Sequence, residues 1–113
     1  MKILSIGNSF SDDAQRYLRL IAANEGVEIE TLNLCIGGCS FETHAANVKS
    51  GARAYLFHYN GDLYCEDLVT LEEGISMREW DVVTLQQVST HSFVEDSFYP
   101  YIYEVAAYVR AKL

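Results

Sequence analysis

Positive charge is scarce in this sequence. Lys and Arg number 8 against 16 Asp and Glu over 113 residues, a net charge of −8. A phosphate backbone or an anionic membrane surface would find no electrostatic footprint, so nucleic-acid and membrane partners are set aside. Cysteine is sparse too: Cys35, Cys39 and Cys65 are odd in number and form no CxxC pair, which gives neither a disulfide framework nor a zinc knuckle. They read as small buried apolar side chains in a reducing compartment. No apolar run approaches the roughly 20 residues of a membrane span, and the opening "MKILSIGNSF" is too short before Gly7 for a signal sequence. The chain therefore reads as cytoplasmic as written, and as exported if a leader precedes it. Repeats, low-complexity tracts and linkers are missing as well, which leaves one domain over 1–113.

Half of the residues are hydrophobic, enough for a core. Residues 3–6 are apolar at nearly every position and read as a buried first strand. A helix follows, with Ser11, Asp12 and Asp13 as capping residues and Ala14, Tyr17, Leu18, Ile21 and Ala22 as its apolar face; Gly26 marks its end. "VEIETLNLCI" reads as a second strand ending in "GGCS". Strand, helix, strand at this spacing predicts a right-handed crossover and a parallel pair. Residues 41–53 are weakly helical. In "AYLFHYNGDLYCEDLVT", Asn60-Gly61 between aromatic runs predicts an inserted β-hairpin beside the main sheet, with His58 one of its side chains. "LEEGISMREW" is a short helix and "DVVTLQQVS" a third strand, expected to be buried on both faces. Residues 98–113 form a closing amphipathic helix, with Pro100 in its first turn.

In an open parallel sheet, ligands bind at the carboxyl ends of the strands. Those ends are "GNSFS", "GGCS" and "QQVSTHS". A Ser between a strand end and a helix N-terminus, with backbone N–H groups nearby, has the setting of a nucleophile facing an oxyanion hole. Glycine after the second strand lets a backbone N–H approach a substrate, and an amide after the third adds a donor. The turn-forming role of Gly, Asn and Ser explains the same residues without chemistry. A phosphate site is disfavoured, because "GNSFSDD" has one glycine, no Lys and two carboxylates. The nearest metal set, Cys35, Cys39 and His44, suffers from Cys35 lying inside a strand, so no metal is expected. Capping accounts for Asp12 and Asp13.

These blocks resemble the SGNH or GDSL-like hydrolases, an esterase and lipase superfamily. "ILSIGNSFSDDAQRYL" is similar to the family's first block, with Asn8 where Asp is usual and Ser9 at the nucleophile position. "LNLCIGGCS" resembles the second block, where Gly38 matches the oxyanion-hole glycine. "WDVVTLQQVS" resembles the strand before the third block, but the GxND signature is absent. Ungapped, Ser89 falls near its Asn, while Gln87, or otherwise Gln86, would supply the amide. The resemblance implies an α/β, flavodoxin-like three-layer sandwich with a mainly parallel sheet, apparently truncated, because the family's DxxH block, which carries the general base and its orienting Asp, is missing. It implies hydrolysis of acyl or acetyl esters of a small molecule or carbohydrate without a cofactor. Asn8, His44 and His91 stand as possible substrate contacts, and either histidine as a substitute base. The alternative is a non-catalytic module that binds a small ligand or carbohydrate, or self-associates through an open sheet edge.

Overall fold

Alternation along "TLNLC" sorts the centre of the fold into two unlike faces. In the computed structural model, which describes residues 1–113, β2 (Glu30–Cys35) pairs in parallel with β1 (Lys2–Gly7), and β1 pairs in parallel with β4 (Val82–Leu85). β3 (Leu56–Tyr59) completes the sheet antiparallel to β2, giving the order β3-β2-β1-β4. Leu4, Ile6, Leu32 and Leu34 point to one face. There they form the core with Ala45, Tyr55, Leu71, Ile75, Trp80, Val105 and Val109. Those residues come largely from α3 (Phe41–Ser50), α4 (Leu71–Ser76) and α5 (Tyr101–Lys112). α1 (Ser9–Gln15) lies on the other face and is followed by α2 (Leu18–Asn24). The chain is thus an α/β fold with a mixed, mostly parallel sheet covered by helices on both sides. No helix is long and apolar enough to cross a membrane.

The α1 face is polar. Ser5, Thr31, Asn33 and His58 are all buried on it. Gln15 Nε2 donates to Ser5 Oγ at 2.7 Å, and Ser5 Oγ meets Thr84 Oγ1 at 2.7 Å. This face overturns the expected packing of the first helix. α1 turns Ser11 and Gln15 inward, while Tyr17 and Ile21 of the anticipated apolar stripe are 55% and 63% exposed. Buried hydroxyls and amides need polar partners, so the helix presents its polar side to the sheet. The expected single helix is also two, interrupted between Gln15 and Leu18.

The predicted inserted hairpin is corrected as well. Asn60 and Gly61 do form a turn with positive φ at both positions, 53° and 80°, as a type I′ turn requires. But β3 belongs to the main sheet, and the returning arm makes only one isolated bridge, Tyr55 with Val69. Asp62 Oδ1 draws in the Tyr64 N–H, and Cys65 Sγ takes the Phe57 N–H where a strand carbonyl would sit. The ladder is broken before a second strand can form. That arm nevertheless covers the outer edge of β3. β4 keeps its outer edge unpaired, and Val82 and Thr84 are exposed, so the expectation of burial on both faces fails for this edge strand. The closing helix begins later than expected, after a 3₁₀ turn at Glu95–Phe98, with Pro100 as its N-cap.

Candidate active site

β1, β2 and β4 run in parallel, so the segments after them emerge on one edge of the sheet. Hydrogen bonds join these segments directly. Ile36 N–H donates to Gly7 O at 3.2 Å and Gln86 N–H to Ile6 O at 3.3 Å. Phe41 N–H donates to Gln87 Oε1 at 2.9 Å. Asn8 sits among them, 1% exposed. Its Oδ1 caps α1 by accepting the Phe10 N–H at 3.0 Å, and its Nδ2 reaches Cys39 O at 3.4 Å and Gln87 O at 3.5 Å. Asn8 is therefore a buried brace between the three loops, not a surface for substrate.

Ser9 is the first residue of α1 and is exposed. The N–H groups of Phe10 and Ser11 go to Asn8, whereas the Ser9 N–H and hydroxyl have no partner in the protein. Gly7 is demanded by crowding: a Cβ there would overlap Ser11 Oγ, the group that donates to Gln86 Oε1. Gly38 is demanded by dihedral angle, with φ +67° and open space where a Cβ would be. Gly38 is exposed and its N–H is free.

The two glutamines separate clearly. Gln87 is buried, and its Nε2 donates to Ser97 O at 3.1 Å and to Ser97 Oγ at 3.2 Å, so its amide nitrogen is committed to Ser97. Gln86 is half-buried, its Oε1 is held by Ser11, and its Nε2 has no protein partner. The free amide donor after β4 is thus Gln86, and the preference for Gln87 reverses. Ser89 lies in an exposed 3₁₀ turn, Ser89–His91.

The histidines divide in the same way. His44 is fully buried, its ring stacked on Tyr55 at 5.6 Å with Nδ1 2.8 Å from the phenol oxygen. Asn47 Nδ2 donates to that oxygen at 3.3 Å. His44 Nε2 has no partner. Burial pushes the His44 pKa down to about 4 and that of Tyr55 up. His44 is a core residue and does not open onto the loop edge. His91 is exposed, beyond the end of β4.

His58, expected in a hairpin, is instead 6% exposed with Nδ1 2.8 Å from Asp12 Oδ1. Asn33 Nδ2 donates to the same oxygen at 2.7 Å, and Cys35 Sγ to Asp12 Oδ2 at 3.4 Å. Burial first, then the charge of Asp12, pushes the Cys35 thiol up to about 12, so it is a donor. The expected capping role of Asp12 is thus corrected: Asn8 is the N-cap of α1, and the Asp12 carboxylate instead meets Asn33, Cys35 and His58. The sequence carried one signal of this cluster, polar residues at alternate positions 31, 33 and 35 of a strand, but no local spacing joins residues 12, 35 and 58.

A small cavity of about 170 Å³ is lined by Ser9, Asp12, Asp13, Arg16 and Leu63. The larger cavities lie elsewhere. One of about 440 Å³ is at the amino ends of β1 and β2, beside Met1, Lys2 and Glu30, and one of about 740 Å³ is beside Trp80 and Leu113. Neither of these, nor the two of about 260 and 340 Å³, touches the loops after β1, β2 and β4.

A family described as a domain of unknown function, DUF4886, matches residues 2–113. A DUF4886 family protein from Bacteroides uniformis ATCC 8492, known from a crystal structure at 1.50 Å resolution, is 33% identical with a TM-score of 0.93. The match covers 100% of this chain and 45% of that one, so this chain spans less than half the length of that relative. No curated protein matches the chain.

Proposed function

The chain belongs to the DUF4886 family, and from that premise we propose that it carries the nucleophile and oxyanion hole of a serine ester hydrolase with a flavodoxin-like sandwich of the SGNH kind. The observation that carries the reading is the set of free groups at one sheet edge. Ser9 has its hydroxyl and N–H unengaged, and Gly38 N–H and Gln86 Nε2 are the free donors on the neighbouring loops, while Asn8 and Gln87 hold those loops together. Ser9 Oγ attacks the ester carbonyl as a base takes its proton. The carbonyl oxygen gains the charge and is met by the three donors, which stabilise it more than the ground state. The tetrahedral adduct expels the alcohol, and water then releases the acid. Among this chain's histidines, His91 is the exposed imidazole beside the β4 loop, whereas His44 and His58 are engaged with Tyr55 and Asp12. The substrate proposed is an acyl or acetyl ester of a small molecule or carbohydrate; the cavity of about 170 Å³ beside Ser9 is lined by Asp12, Asp13, Arg16 and Leu63 and by neither Gly38 nor Gln86, so it does not set the size of the acyl group.

Treatment with a fluorophosphonate probe, followed by intact mass and peptide mapping, tests the reading. One adduct on Ser9 is expected, lost in Ser9→Ala, with melting of the variant changed by no more than about 0.5 kcal/mol at this exposed position. Unmodified Ser9 in folded protein, or labelling that persists in Ser9→Ala, contradicts it. A second reading, self-association, is favoured by the unpaired outer edge of β4 beside an apolar cavity of about 260 Å³ lined by Trp80, Val83, Leu85, Ala106 and Val109. Sedimentation at rising concentration decides it: a monomer throughout excludes pairing across that edge.

A further inference from the structure

We propose that Asp12, Cys35 and His58 form a binding site for one divalent transition-metal ion of the zinc class, independent of the esterase reading. The three residues come from α1, β2 and β3, and their ligand atoms all lie within 4.8 Å of one another. Strand geometry brings them together. Asn33 and Cys35 face the same side of β2, and His58 stands opposite Asn33 in the antiparallel register, so Cys35 and His58 are diagonal neighbours on one sheet face. α1 lowers the Asp12 carboxylate between them.

The spacing suits a tetrahedral ion. With metal–nitrogen and metal–oxygen bonds of about 2.0–2.1 Å and a metal–sulfur bond of about 2.3 Å, neighbouring ligands stand roughly 3.3 Å (nitrogen to oxygen) and 3.6 Å (sulfur to oxygen) apart. Here His58 Nδ1 stands 2.8 Å from Asp12 Oδ1 and Cys35 Sγ 3.4 Å from the other carboxylate oxygen, Oδ2, so one oxygen of the carboxylate must serve both neighbours when the ion enters. An opening of about half an ångström admits the ion. The donor set of one thiolate, one imidazole and one carboxylate excludes calcium and magnesium, which take oxygen ligands, and fits zinc. Loading releases the Cys35 proton to solvent and requires His58 to present the Nδ1 lone pair, with its ring proton on Nε2. The thiolate and carboxylate then balance the two charges of the ion, so the buried site is neutral. Asn33 Nδ2, 2.7 Å from Asp12 Oδ1, orients the carboxylate from outside the ligand set.

Entry is available, because Asp12 also lines the surface cavity shared with Ser9, Asp13, Arg16 and Leu63. Water from that cavity fills the fourth position. The set weighed from the sequence fails on geometry, since His44 Nδ1 is bound to Tyr55 in the core. Asp12, Cys35 and His58 replace it.

Reduced, chelator-treated protein titrated with Co²⁺ under anaerobic conditions tests the site. One equivalent is expected to give a thiolate-to-cobalt absorption band that Zn²⁺ displaces. The band should vanish in Cys35→Ala, weaken at least about tenfold in metal affinity in Asn33→Ala, and persist in Cys65→Ser. No band in the folded wild-type protein, or a band retained in Cys35→Ala or lost in Cys65→Ser, overturns the proposal. Where Cys35→Ala does not fold, alkylation of the wild-type protein replaces it: Zn²⁺ should slow modification of Cys35, mapped by mass, at least about tenfold relative to Cys65, and equal slowing or none overturns the site.

Discussion

Acidification should destabilise this protein through His44. The ring is enclosed in the core against Tyr55, with Nε2 facing no partner, and burial holds its pKa at about 4 against an ordinary 6.5. It is therefore neutral in the folded state at pH values where the unfolded chain already binds a proton. Because the unfolded state binds more protons between these two values, stability rises with pH across the window and is lost as pH falls through it. Below about 4 the loss levels off. Linkage between the two pKa values gives a loss of about 2 kcal/mol between pH 7 and pH 4.5 from this one side chain. With a urea m-value of roughly 2 kcal/mol/M, that is a fall of about 1 M in the unfolding midpoint. His44→Phe keeps a ring against Tyr55 but cannot titrate, so its midpoint should fall by about 1 M less over the same pH range. Equal pH slopes for the two proteins would refute the argument.

Asn8→Ala removes the cap of α1 and the brace to the Cys39 and Gln87 carbonyls, and should cost about 1–2 kcal/mol in urea unfolding; a loss of a few tenths would show that the brace holds nothing. Gly74→Ala places a Cβ 2.5 Å from Leu34 Cδ2, a fully buried side chain, so overpacking of about 1–3 kcal/mol should outweigh the gain of up to about 1 kcal/mol in helix propensity; a variant melting above the wild type contradicts this. On the polar sheet face, Thr31 Oγ1 is buried without a partner, whereas Ser5 Oγ meets both Gln15 and Thr84. Thr31→Val should therefore stabilise by about 1 kcal/mol and Ser5→Ala destabilise by about 1–3 kcal/mol, as an orphaned amide requires. Denaturation midpoints that move in the same direction would defeat the distinction.

The order of strands and helices was legible because each carries a local signal: the apolar run before Gly7, the alternation through "TLNLC", and the spacing of Val105 and Val109 on α5. The convergence of three loops was legible because parallel strands deliver their carboxyl ends to one edge. Side-chain partners were not. Whether Gln86 or Gln87 offers a free amide depends on Ser97 lying within reach of Gln87, which no spacing announces. Similarly, His58 reads as a hairpin residue until β3 joins the main sheet beside Asn33. The misreading of the first helix has a different cause. Its apolar positions were assumed to face the sheet, but the sheet offers hydroxyls and amides there, and buried polar groups choose polar neighbours.

That choice links the fold to the candidate nucleophile. Since α1 satisfies Ser5 through Gln15 and Asn33 through Asp12, its rotation about its own axis is set by residues 12 and 15. Ser11 is drawn inward to Gln86 on the same side. Successive residues of a helix lie about 100° apart, so Ser9 stands about 60° from Asp12 and about 160° from Ser11 around the axis, at the border of the inward face, and there it is exposed with its hydroxyl unengaged. Apolar residues in place of Ser5 and Asn33 would leave Gln15 and Asp12 without these sheet partners, and α1 would lose the contacts that set its rotation. The polar face of the sheet thus fixes one helix rotation, and Ser9 stands at the exposed border of that helix.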